Sequence, residues 1–194
     1  MLAYLPRISF GILKNLVTRV ALTDWHTQTF RAWPVFDSDD FSMMAASKYL
    51  EFSAVAGWTH AYMSQFLKHG LKEKWFVVNR RNYLELYRPI KLLKPFIVKT
   101  KLIAFDKFST IRLVEFYQNN KLCAQTYSQH VVIDKNLKKI PTVEWVKRTS
   151  HDLKEFGPYP DECLSWKYGE EKLQKSPTTV KKKRPVPLPS HVNP

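Results

Sequence analysis

Between Ser42 and Gly70 the chain carries one long helical pattern that is apolar nearly all round, and this limits the fold more than any other feature. Tyr49, Leu50, Phe52, Val55, Ala56, Trp58, Tyr62, Met63, Phe66 and Leu67 fall on every side of a helix predicted from Met43 or Met44 to His69. Ser42 is positioned to cap its start and Gly70 to stop it. A helix with no polar face cannot lie on a surface, so other structure must wrap it.

The flanking sequence supplies that wrapping. Thr27–Asp37 reads as a strand, with Phe30, Ala32 and Pro34 alternating against Arg31, Trp33 and Val35, and Pro34 demands an edge or a bulge. After the helix come four strand patterns, Trp75–Tyr87, Phe96–Phe105, Thr110–Tyr117 and Lys121–Ile133. Asn119 and Asn120 tolerate the positive φ of a tight hairpin between the last two. Arg88-Pro89 and Lys94-Pro95 separate the second strand from the third. One strand, a buried helix and four antiparallel strands predict an α+β domain with a five-stranded sheet curled round one central helix. A two-layer α+β domain of another kind shares this order.

At 194 residues the chain can hold one core without disulfides or metal. Cys123 and Cys163 match no metal-ligand spacing and read as reduced thiols of a cytoplasmic protein. No cofactor is called for. The net charge of +14 admits nucleic acid, an anionic membrane or a phosphorylated ligand such as coenzyme A. The basic residues are not interleaved with aromatics as base stacking requires, so specific nucleic-acid binding is set aside.

Four regions are expected. Residues 1–24 hold an amphipathic helix that either packs on the domain or lies on a membrane surface as a peripheral contact. Residues 25–140 form the domain, 141–175 an extension with short helical pieces, and 176–194 a disordered basic, Pro-rich tail. Its Lys181-Lys182-Lys183-Arg184 run is either a solvated tail or a membrane-attracting patch.

Three stretches carry a resemblance: Asp37-Ser38-Asp39 followed by Tyr49-Leu50, Tyr87-Arg88-Pro89 with Leu93-Lys94-Pro95-Phe96, and Phe105-Asp106-Lys107-Phe108. From Arg31 to Lys135 the sequence resembles the hot-dog-fold acyl-CoA thioesterases of the hydroxybenzoyl-CoA and FadM-like type, closest to the branch of thioesterase superfamily member six. That resemblance implies a hot-dog fold and hydrolysis of a fatty acyl-CoA to free acid and coenzyme A. It also implies a homodimer or tetramer with sites at the subunit interface.

The resemblance makes Asp39 the nucleophile or general base. It also makes the backbone amides of Met44, Ala45 and Ala46 the oxyanion donors, assisted by the helix dipole. Met43 and Tyr49 would line the substrate pocket. Met43 stands where the family has His, and Ala45-Ala46 where it has paired Asn. The loop has therefore either shifted from reacting with an acyl thioester to holding one or a protein partner, or simply packs its helix more tightly. Apart from the resemblance, Asp39 reads as one of three acidic residues that caps the helix. His60, His69 and His130 read as packing or surface residues, and Asp37 and Asp40 as structural or exposed ones.

Overall fold

The computed structural model describes residues 20–148 and 156–166. The expectations for a tail at 176–194 and for most of an N-terminal helix fall outside these residues. Within the described residues, five strands, β1 (His26–Arg31), β2 (Phe76–Leu86), β3 (Pro95–Phe105), β4 (Ser109–Gln118) and β5 (Lys121–Ile133), form one antiparallel sheet. Its order is β1-β3-β4-β5-β2. The helices are α1 (Pro34–Asp37), α2 (Ala46–Met63), α3 (Phe66–Glu73) and α4 (Thr142–Arg148). The sheet curls around α2, the arrangement expected from the sequence.

Packing explains the wrap. Tyr49, Phe52 and Ala56 of α2 are fully buried, and they share one cluster with Phe96, Val98, Val114 and Phe116 on the inward rows of β3 and β4. Phe52 stands edge-on to Phe96 with centroids 5.0 Å apart, and Tyr49 edge-on to Phe116 at 5.3 Å. Such geometries add to the area buried. The Asn119–Asn120 turn has φ values of 52° and 59°, as the hairpin required.

Four expectations change in detail. The first strand stops at Arg31, because Pro34 starts α1 and the Asp37 carboxylate accepts the Trp33 amide at 2.8 Å, closing a helical turn. The long helix is broken where Gln65 adopts a left-handed φ of 63°, and α3 then runs past Gly70 to a left-handed Lys74. Ser42 does not cap it: α2 starts after Ala45, with no side-chain cap. The core also reaches beyond residues 25–140. Leu22 on one side and Trp145 and Val146 of α4 on the other share a buried cluster with Phe66 and Leu102, and Cys163 joins a third cluster with Ile111 and Tyr127. No helix among the described residues is long and apolar enough to cross a membrane.

The fold predicts two stability effects. Phe52→Ala removes an aromatic that packs on both Phe30 and Phe96, and should cost about 3–5 kcal/mol in urea unfolding. Burial lowers the pKa of His26 and, with Arg112 second, that of His130. The folded protein thus refuses protons that an unfolded histidine accepts near its ordinary 6.5. Stability is complete above that pH and declines as the pH falls below it, and His26→Leu should flatten the decline in melting temperature measured from pH 7 to 5.

Candidate active site

The segment Asp37–Ala46 is held by its two ends. Asp37 is buried, and while its side chain closes α1, its carbonyl accepts the Ala45 amide at 2.9 Å. On the other flank the Met44 amide donates to Ile90 O at 3.0 Å, and Met43 bridges to Lys91. The residues after β2 are fixed in turn. The Ile90 amide donates to Tyr49 Oη at 3.2 Å, and the Gln118 side chain bonds the Lys91 amide and carbonyl at 2.9 and 3.0 Å.

Between these anchors Asp40 organises the turn. Its Oδ1 accepts from the amides of Ser42 at 3.0 Å and Met43 at 3.4 Å, and its Oδ2 from Ser42 Oγ at 2.8 Å. These bonds, that of the Ser42 amide foremost, bring its pKa down to about 2. Phe41 takes up the bend with φ 60°, in the left-handed region that a bulky residue adopts only when its surroundings compel it.

Asp39 sits on this turn, exposed, with no hydrogen-bond or ion-pair partner among the described residues. It is not a cap, since Ala45 holds the N-cap position of α2 with no side-chain bond. The three expected oxyanion donors separate here. The Met44 and Ala45 amides already serve carbonyls, whereas the Ala46 amide, in the first turn of an uncapped helix, has no acceptor. Met43 is 44% exposed beside the turn, with Trp33, Phe36 and Phe41 also exposed around it. Tyr49 departs from expectation. It is buried at 2% and bonded to the loop after β2, because its position on α2 faces Phe116 and not open space. It supports the loop from beneath and is not among the residues that line the cavity between α2 and the sheet.

A residue that sequence reasoning missed is Arg112. It borders a cavity of about 210 Å³ between α2 and the sheet, together with His130, Asn79 and Asn82. The signal was present, because Arg112 stands in the inward-facing row of β4 with Thr110, Val114 and Phe116.

A model of the thioesterase-like superfamily matches residues 33–193. No curated protein matches the sequence. Among solved structures, a 1,4-dihydroxy-2-naphthoyl-CoA thioesterase from Synechocystis is 15% identical, covering 70% of this chain and 100% of its own, with a TM-score of 0.57. A probable thioesterase from Escherichia coli is 16% identical over 64% of this chain and 95% of its own, with a TM-score of 0.59. A hypothetical protein from Staphylococcus aureus, solved in complex with CoA, is 13% identical over 75% of this chain and 95% of its own, at 0.58. These likenesses establish the hot-dog fold.

The turn carries its own test. In Asp40→Ala the Ser42 and Met43 amides should exchange hydrogen markedly faster at neutral pH, as followed by NMR. In the wild type the same loss should set in only as the pH falls from the ordinary 3.8 toward about 2, where the carboxylate is protonated. Unchanged exchange in the variant would show that Asp40 does not order the loop.

Proposed function

The chain belongs to the thioesterase-like superfamily, and from that premise we propose that it hydrolyses a fatty acyl-CoA thioester to the free acid and coenzyme A. One observation carries the reading: an exposed, unpartnered carboxylate, Asp39, on a braced turn that leads into the uncapped N-terminus of α2. Thioester hydrolysis needs a base or nucleophile and a donor for the oxyanion. Asp39 activates water or attacks the carbonyl carbon, and the Ala46 amide, at the positive end of the helix dipole, receives the developing oxyanion. The exposed Arg88, Lys91 and Lys94, beside the Met43–Lys91 bridge, suit the phosphates of coenzyme A. A CoA-bound structural neighbour supports that class of ligand.

Edge-strand physics supports a two-subunit protein. Among the described residues the eleven-residue β2 pairs only with β5, and Phe76, Val78, Tyr83 and Leu86 are exposed along it. A long edge with apolar side chains invites a second strand. Joining two copies through β2 closes both edges and covers that apolar surface.

A second reading is favoured by the loop composition. Met43, Ala45 and Ala46 offer no polar side chain to steer water, and two of the three amides are engaged elsewhere. On this reading the protein binds acyl thioesters, or a protein partner, without turnover.

Thiol release from a panel of acyl-CoAs separates the two. Asp39→Asn should lower hydrolysis by at least about 10²-fold while acyl-CoA binding is retained. Met43→His with Ala45→Asn and Ala46→Asn should raise the rate. Binding without turnover, unchanged by that triple substitution, would select the second reading. Light scattering should give twice the mass of the chain, and Val78→Lys should shift it toward monomer; a wild-type monomer would exclude an interface site.

A further inference from the structure

The polar groups that thioester chemistry leaves unused converge on one place. On the inward face of the sheet, Leu102, Arg112, Ser128 and Asn82 are successive cross-strand partners, and Thr110, His130 and Asn79 form the next row. Asn79 and Asn82 are three residues apart yet border the same space, because the bulge between Asn79 and Arg81 adds a residue and resets the alternation. Opposite them α2 presents Ser53, Ala54, Gly57 and Ala61, side chains too small to fill the gap. The result is the cavity of about 210 Å³, whose remaining walls are apolar, with Leu50, Trp58, Phe66 and Trp145 among them.

Arg112 is the anomaly in this cavity. Its guanidinium lies against α2 at Gly57, where even a Cβ would collide with Nη1. Among the described residues its buried Nε has no partner, and its one polar contact is Nη1 with His130 Nε2 at 3.5 Å. Among the described residues no carboxylate lies within ion-pair distance of it. Burial brings its pKa down to about 10, so it is still a cation at neutral pH. His130 supplies no countercharge. Burial first, and Arg112 second, hold its ring neutral.

Arg112 is only partly exposed, and a buried guanidinium nitrogen with no partner is unfavourable until an acceptor reaches it. The guanidinium fork matches a carboxylate, two N–H donors to two oxygens. Asn82 adds a donor: its Oδ1 accepts from Ser128 Oγ at 2.8 Å and from Asn79 Nδ2 at 2.9 Å, which leaves its own amide hydrogens for a ligand. A cavity of about 150 Å³ accommodates benzene, so this one has room for a body of roughly six carbons and a carboxylate.

We propose that the cavity between α2 and the sheet binds the carboxylate of a small acid with an apolar body, Arg112 pairing with its oxygens. The site is separate from the Asp39 turn. Gly57 lies eleven residues beyond Ala46 on α2, about 16 Å along the helix axis. The carboxylate arrives either as a free acid or as the far end of an acyl group whose thioester lies at the start of α2. Only the second source rests on the thioesterase reading.

The test reads binding and not turnover, in the full chain and in Asp39→Asn, so a protein that hydrolyses nothing still decides it. Calorimetric titration should show sodium hexanoate binding at least about 10-fold tighter than methyl hexanoate, as a charge-assisted pair requires. Arg112→Met should abolish that preference while the ligand-free melting temperature stays level or rises, since the variant buries no charge. A merely structural arginine would instead lower the melting temperature and leave the preference intact. Should Arg112→Met not fold, the Arg112 guanidinium resonance of the wild type decides: it must shift with hexanoate and not with the ester. Adipoyl-CoA against hexanoyl-CoA distinguishes the sources. An Arg112-dependent preference for adipoyl-CoA assigns the carboxylate to the acyl group, and equal binding of the two assigns it to the free acid. Equal affinity for acid and ester, or a preference that survives Arg112→Met, would overturn the proposal.

Discussion

The need to bury the broad apolar surface of α2 governs this molecule. A helix carrying Tyr49, Phe52 and Val55 with no broad polar face is unstable in water, and five antiparallel strands are curved enough to enclose it. The other features follow from that enclosure. The chain must enter the helix through a tight turn, and the loop after β2 must pass over the helix start. There Tyr49 Oη and the Gln118 side chain tie its backbone down. The turn bearing Asp39 is therefore braced from below by the same core that buries the helix.

The enclosure is uneven along its length. At the start of α2 the aromatic rings interlock and little space is left. Further along, Ser53, Ala54, Gly57 and Ala61 replace large side chains, and the facing sheet turns polar at Thr110, Arg112, Ser128 and His130. Tight packing in the first half gives rigidity where a reacting group must be positioned. In the second half the space is open, and Arg112 stands beside it with no carboxylate within ion-pair distance among the described residues. The two halves of one helix thus meet different requirements.

Departures from family pattern look different once the backbone is in view. Met43, Ala45 and Ala46 remove polar side chains, yet the hydrogen bonds that fix the turn come from Asp37 and Asp40. The shape of the loop does not depend on the residues that were replaced. On the proposed reading, chemistry at this position would rest on the Asp39 carboxylate and on the Ala46 amide at the start of an uncapped helix.

The sequence by itself determined the elements. Four of the five strands, the hairpin at Asn119–Asn120 and the buried character of the central helix were legible because alternation, positive-φ tolerance and all-round apolarity are local properties of the chain. The break at Gln65 and the early end of β1 were not legible, because each depends on a bond or packing contact formed only in the fold, such as the Asp37 carboxylate on the Trp33 amide. Tyr49 was misread for the same reason: an aromatic phenol suits a pocket or a core equally well until its neighbours are known. Arg112 shows the limit most clearly. Its place in an apolar row was visible, but whether a carboxylate waited opposite could be decided only by strands and a helix brought together from distant parts of the chain. A charge is paired or unpaired through contacts in space, which no stretch of sequence contains.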